Sequence, residues 1–193
     1  MMKENTRQRL IDAAYEEIYS HGYQGAALAD ILNRAEVHKG SMYHFFKNKK
    51  ELALCAIEEK MRDRLQSAYI NVLSFPPPYL PRWFSLLRDV TRRDFKRGCP
   101  IANLVQEMSN LDPDFNRTMK SIYANFRDSF KAVYDSAVAS GELAGCDTDK
   151  LALLTIVVIE GAILSTKASG ALEDYTDAVD MLETHVMHYR TAP

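Results

Sequence analysis

The chain is short of the residues that staple, break or anchor proteins. Its three cysteines, Cys55, Cys99 and Cys146, lie far apart in 193 residues. An odd, dispersed set builds no complete disulfide framework, and the absence of CxxC or Cys/His clusters leaves no zinc pattern. No metal and no cofactor are expected. Glycine (8) and proline (7) are scarce and fall mostly between long periodic segments, which favours an all-helical fold over disordered or fibrous classes. The opening MMKENTRQRL has no apolar core of a signal peptide. The most apolar run, Leu151 to Leu164, contains Glu160 and is shorter than a bilayer-spanning helix needs. No membrane partner is expected, and the compartment read from these features is a reducing cytoplasm. Charge of one sign is lacking too, since the net value is −2. That disfavours a non-specific polycation coating nucleic acid.

What is present is helical periodicity, with one local concentration of base. Between Arg34 and Lys50, five basic residues (Arg34, Lys39, Lys47, Lys49, Lys50) stand against one acid, Glu36. A slightly acidic protein that reads DNA must gather its positive charge in this way. A first helix is expected over about Thr6 to Tyr19, with Leu10, Ala13, Ala14 and Ile18 on one face and a stop at Gly22. A second covers Leu28 to Ala35, with Ala27 offering no side-chain cap. Glu36-Val37-His38 makes a turn into a third, about Lys39 to Phe46, which buries Met42 and one of the two phenylalanines. Asn48 with Glu51 three residues on is a capping box that opens a long fourth helix, its face carrying Leu52, Cys55, Ala56, Met61, Leu65 and Ala68.

Pro76-Pro77-Pro78 ends that helix and reads as a stiff connector. The body should continue with helices over Pro81 to Lys96, Ile101 to Asn110, Asp112 to Ser140, Asp147 to Ser169 and Glu173 to Tyr189, making about nine in all. Three short helices leading into a long one fit a helix-turn-helix head on a helical body. Major-groove readout needs a slim approach and side chains that reach base edges and phosphates. Gly40 supplies the first; Lys39, Ser41, Tyr43 and His44 supply the second, with Lys49 at the next helix N-terminus.

Val37-His38-Lys39-Gly40-Ser41-Met42-Tyr43-His44-Phe45-Phe46, followed by Lys47-Asn48-Lys49-Lys50-Glu51-Leu52, resembles the signature of the TetR/AcrR repressors. The likeness runs back through Asp30-Ile31 and Gly22-Tyr23. It implies DNA contacts by His38, Lys39, Gly40, Ser41, Tyr43, His44 and Lys49, with Met42 and Phe46 as core. It also implies a DNA-binding domain at 1–50 and a ligand-binding and dimerisation domain at 51–193. Three residues depart from the pattern. Glu36 stands where a turn glycine is usual and, if left-handed, costs about 1 kcal/mol. His38 replaces a capping Ser or Thr, and Ala27 a capping Thr.

In the body, Arg97-Gly98-Cys99-Pro100-Ile101-Ala102-Asn103-Leu104-Val105-Gln106-Glu107-Met108, Gly141-Glu142-Leu143 and Glu160-Gly161-Ala162-Ile163-Leu164-Ser165-Thr166-Lys167 resemble one branch of that family. That branch includes repressors released by acrylate, N-ethylmaleimide and related electrophiles. A thiol at a helix N-terminus beside Arg97 has its thiolate favoured, which makes Cys99 a candidate sensor as well as a candidate gap-filler. Glu160 needs a partner if buried, and Lys167, on its own helix face, or a ligand could serve. With Trp83, Phe84, Asn103, Met108, Tyr123, Phe126 and Phe130 these residues form the expected ligand pocket. The last two helices are expected to pair in a homodimer, as the resemblance implies, so that two heads face a palindromic double-stranded operator. The reading is a repressor released by a small-molecule or electrophile inducer. The alternative is an all-helical enzyme using Cys99 on reactive small molecules.

Overall fold

The computed structural model describes residues 2–191, with the side chains of 2–4 and 68–71 outside the description. Ala68, expected on the fourth helix's buried face, is therefore outside the described residues. Among these, nine α-helices and one 3-10 turn account for the regular structure: α1 Met2–Gly25, α2 Leu28–Ala35, α3 Lys39–Tyr43, α4 Lys49–Leu73, α5 Leu80–Arg88, the 3-10 turn Val90–Arg92, α6 Pro100–Met108, α7 Pro113–Ala139, α8 Thr148–Ser169 and α9 Glu173–Met187. The chain is all-α, as its scarcity of helix breakers predicts.

Two compact units emerge, and neither is one continuous stretch. The first holds the residues up to Asp63 together with Pro100–Ile122; the second holds Arg64–Cys99 and the residues from Tyr123 on. In the first, α1 packs on α2 and on α6. Leu10, Ile11, Ala14 and Ile18 of α1 are buried with Ile31 and Ala35 of α2, Met42 of α3 and Phe46 just after it. In the second, α8 packs on α9 and α5 on α9, around a core that includes Trp83, Phe84, Tyr134, Tyr175 and Val179.

The structure moves several element ends away from the sequence expectation. Gly22 interrupts the first helix as expected, taking a non-helical, positive-φ conformation (φ 75°, ψ 168°), and one further turn follows it to Gly25. The expected helix from Pro81 to Lys96 ends at Arg88, because Asp89 turns extended and its carboxylate accepts the Thr91 N–H, starting the 3-10 turn. α3 is shorter than expected, closing at Tyr43. Asp147 caps α8 by accepting the Lys150 N–H at 3.1 Å. At 22 residues, α8 has the length and hydropathy to cross a membrane. Its Leu151, Ala152, Thr155, Ile159 and Ala162 are buried inside the second unit.

Candidate nucleic-acid interface and effector cluster

The turn between α2 and α3 is built around a residue poorly suited to it. Glu36 is left-handed (φ 51°, ψ 46°), the only non-glycine residue with positive φ among those described. Its N–H returns to Asn33 O at 3.1 Å and the next, from Val37, to Leu32 O at 3.0 Å, closing α2 as left-handed caps do. Arg9 of α1 compensates part of the strain: its Nη2 donates to both the Glu36 carbonyl and the Glu36 carboxylate, each at 3.0 Å. Both side chains are solvent-facing, so this pair adds well under 1 kcal/mol against a left-handed cost of about 1 kcal/mol.

His38 then starts α3 in an extended conformation, and its carbonyl accepts the Ser41 and Met42 N–H groups. Its imidazole makes no capping bond, and Ala27 makes none at α2. Met42 and Phe46 are buried at 0 and 3% exposure. The other side of α3 faces solvent: His38, Lys39, Gly40, Tyr43 (50% exposed) and His44, with Ser41 half-buried. A Cβ placed on Gly40 would meet nothing within 4 Å. The protein's own packing therefore does not demand glycine there.

The α4 N-terminus closes as expected, with Asn48 Oδ1 accepting the Glu51 N–H at 2.9 Å and the Glu51 carboxylate accepting the Lys47 N–H at 2.6 Å. Lys49 does not stand free at that terminus. Its ammonium donates to the Tyr23 carbonyl and lies 4.4 Å from the Tyr23 ring centroid. Burial draws its pKa below the ordinary lysine value, with Glu107 opposing. Lys50 is likewise turned to Asp112 and Asp114. The phosphate contact expected of Lys49 thus meets a physical obstacle, because the charge is already engaged within the first unit.

The second unit gathers a different set of groups. The Cys99 thiol hydrogen-bonds the Glu160 carboxylate, and burial holds Glu160 above the usual carboxylate range while that bond and the nearby Arg93 and Arg64 oppose. The other carboxylate oxygen, Oε2, is buried without a partner. Tyr123 is pushed well up by burial, then by Glu160 and Cys99. Tyr175, pushed up to about 12 chiefly by burial, donates to Leu87 O at 2.8 Å and carries Arg93 over its ring at 4.8 Å. Glu160 therefore answers to Cys99 and not, as one expectation had it, to Lys167, which is exposed and donates to Arg97 O at 3.1 Å. Arg97 itself pairs with Asp94, so the cation expected to activate Cys99 is occupied.

The remaining expected pocket residues divide. Trp83, Phe84 and Phe130 are core, with Trp83 and Phe130 edge to face at 5.0 Å and Phe126 edge-on to Phe130 at 6.0 Å. Trp83 Nε1 donates to Tyr134 Oη at 3.2 Å, and Tyr134 meets Thr155 Oγ1 at 2.7 Å. Thr155 in turn donates to Leu151 O. The order of donors is then fixed, so Tyr134 gives its proton to Thr155. Asn103 and Met108 belong to the first unit, where Met108 is buried. Arg93 and Tyr175 were missed from sequence, because a run such as Thr91-Arg92-Arg93-Asp94 reads as solvated surface.

On α8 and α9 some apolar side chains are left uncovered: Val157 (59% exposed) and Leu164 (60%), and Met181 (74%) on α9.

Comparison with known proteins places the chain in company. The family described as bacterial regulatory proteins of the tetR family matches residues 10–55, and the tetracyclin repressor-like C-terminal domain matches 80–182. The transcriptional regulator AcuR of Cereibacter sphaeroides is 34% identical over 166 residues, spanning 83% of this chain and 75% of that one. A crystal structure of the regulatory protein TetR from Rhodobacter sphaeroides has a TM-score of 0.77 at 30% identity, covering 92% of this chain and 97% of that one. Reduced E. coli NemR has a TM-score of 0.85 at 22% identity, covering 97% and 98%, a likeness of fold.

Proposed function

Because this chain belongs to the TetR family of bacterial transcriptional regulators, and is not an enzyme, we propose that it is a cytoplasmic homodimeric repressor. It binds a palindromic operator through α3 and leaves it when a small-molecule inducer occupies the Cys99–Glu160 cluster. The observation that carries the DNA reading is the two-sided α3, anchored by Met42 while Lys39, Ser41, Tyr43, His44 and the preceding His38 face outward. Gly40, which nothing in the protein requires, leaves a low spot on that surface, suited to the close approach of a DNA backbone. Residues 1–50 then act as the reading head and 51–193 as the effector and pairing portion. The exposed row Val157, Gly161 and Leu164 of α8, together with Met181 of α9, is the surface on which a second copy would pack, giving two heads one two-fold axis and matched half-sites.

The inducer class follows from the Cys99 surroundings. In conjugate addition the sulfur bonds the β-carbon of an activated alkene as its π bond breaks and the thiol proton passes to the α-carbon, so S–H gives way to S–C. Glu160, whose Oε2 is already unpartnered, then loses the donor on its carboxylate. A buried carboxylate stripped of partners is costly, and relief of that cost drives the body out of the conformation seen here. Of the other thiols, Cys55 is pushed up to about 11 by burial and Glu59 and Cys146 is raised by burial. What sets Cys99 apart is its bond to Glu160, since its alkylation is the one that strips that carboxylate of its donor.

The test is selection of duplexes from a random library, footprinting of the winner, and repetition after mild treatment with N-ethylmaleimide. The expected result is two symmetric protected half-sites, lost on alkylation of the wild type and retained in Cys99→Ser. Uniform protection sinks the repressor reading, and equal loss in Cys99→Ser sinks the assignment of the sensor.

A further inference from the structure

The residues that fix the reading head are not all in the head. Gly22 breaks α1 by turning left-handed, so the following N–H groups lose their places in the helix. A carboxylate from α6 takes them, Glu107 Oε2 accepting from Tyr23 N–H at 2.9 Å and Oε1 from Gln24 N–H at 2.8 Å. The chain then closes a fresh turn, Ala26 N–H returning to Gly22 O at 3.0 Å. Glu107 is in effect an N-cap delivered from another helix, with negative charge at the positive end of that turn. The fit is tight, since a Cβ on Gly22 would sit 2.7 Å from Glu107 Oε2.

Tyr23 is held from its other sides as well. Its carbonyl and ring take the Lys49 ammonium, and the ring lies 4.5 Å, centroid to centroid, from that of Phe115 on α7. One residue at the α1–α2 junction thus meets α6 through Glu107, α7 through Phe115 and the first residue of α4 through Lys49. The stretch α2–α3 lies between the Tyr23 junction and Lys49, so both of its flanks are set by this node.

We propose that Glu107 is a positioning residue for DNA binding. Its two-oxygen grip on the Tyr23 and Gln24 amides sets the α1–α2 junction in the DNA-competent arrangement, and any shift of α6 lowers operator affinity by releasing it. The proposal rests on the DNA-binding reading above. Glu107 touches no DNA in this scheme, so its loss changes the affinity but not the number of phosphates contacted.

The experiment uses the full-length protein and the duplex that the wild type selects. Affinity is measured against salt concentration for wild type, Glu107→Gln, Glu107→Ala and the exposed neighbour Gln106→Ala, with active fraction titrated for each. The amide resonances of Tyr23 and Gln24 are followed alongside. Glu107→Ala should weaken binding about tenfold or more, the scale of one charge-assisted hydrogen bond, and Glu107→Gln less. The slope of log affinity on log salt should stay at the wild-type value. The two amide resonances should move in Glu107→Gln, and Gln106→Ala should behave as wild type. If Glu107→Ala does not fold, Glu107→Gln decides by the same measurements. Affinity within about twofold of wild type in Glu107→Gln with shifted amides, or a slope reduced with the affinity, overturns the proposal. A wild type that selects no duplex overturns the DNA-binding reading instead, which keeps the two failures apart.

Discussion

Lys39 and Lys49 look alike in sequence, and the structure assigns them opposite fates. Lys39 is exposed at the first position of α3, while the Lys49 charge is engaged by Tyr23. Consider the alanine variant of each, measured on one selected duplex over a range of salt. Each phosphate neutralised contributes about 0.9 to the slope of log affinity against log salt. In the proposed two-headed dimer, with Lys39 on a phosphate in each head, Lys39→Ala removes one contact per head, so the slope should fall by about 1.8. Across a fourfold change in salt that is about a tenfold difference in sensitivity. The melting midpoint should stay where it is, because an exposed lysine leaves no buried group without a partner. Lys49→Ala should do the reverse. It deletes a charge-assisted hydrogen bond and a cation–π contact in a half-buried setting, together about 1–3 kcal/mol. For a chain of this size each kcal/mol is worth about 2–4 °C, so the midpoint should drop by several degrees. Affinity should fall by a similar factor at every salt concentration, with the slope unchanged. The reasoning is refuted if Lys49→Ala lowers the slope as Lys39→Ala does while its melting midpoint holds.

Two further predictions concern the body. Tyr134→Phe removes the acceptor of the buried Trp83 N–H and the donor to Thr155. That should cost about 1–3 kcal/mol, read by calorimetry as a drop of several degrees; a midpoint shifted by less than about a degree would show that the relay contributes nothing. Glu160→Gln should stabilise the protein in a pH-dependent way. Burial raises the Glu160 pKa in the fold, so the wild type is unpenalised at acid pH, where the group is protonated folded or unfolded. It loses stability as pH rises from the ordinary carboxylate range through the raised value. The gain in Glu160→Gln should therefore be present at about pH 7–8 and vanish below about pH 4. Equal melting differences at both ends would contradict it.

How far the sequence reveals this site follows from how far apart the interacting groups are. The head is a local structure: the Met42 and Phe46 anchors, the Asn48–Glu51 cap and the strained Glu36 turn are all written between Glu36 and Glu51. Periodicity and capping rules act over that span, so the burial of Met42 and Phe46 and the Asn48 cap are legible in the sequence. The partners that tune it lie far along the chain. Glu107 is 84 residues from Tyr23 and Lys49 is 26. Local pattern offers no hint that a lysine beside a helix start is spent on a distant carbonyl, or that a glutamate in one helix's last turn caps the turn of another. The same limit applies to the body, where sequence proximity points to Arg97 as the cation beside Cys99, although Asp94 neutralises that charge. The group that governs the thiol is Glu160, brought to it by the packing of the second unit. What sequence shows well is which side of α3 is buried by Met42 and which is left to solvent. In the proposals made above, the groups that hold and release that surface are carboxylates placed by tertiary structure: Glu107 on two peptide N–H groups and Glu160 on one thiol. Each is singly replaceable with little change in volume, so each control can be removed while the fold around it is kept.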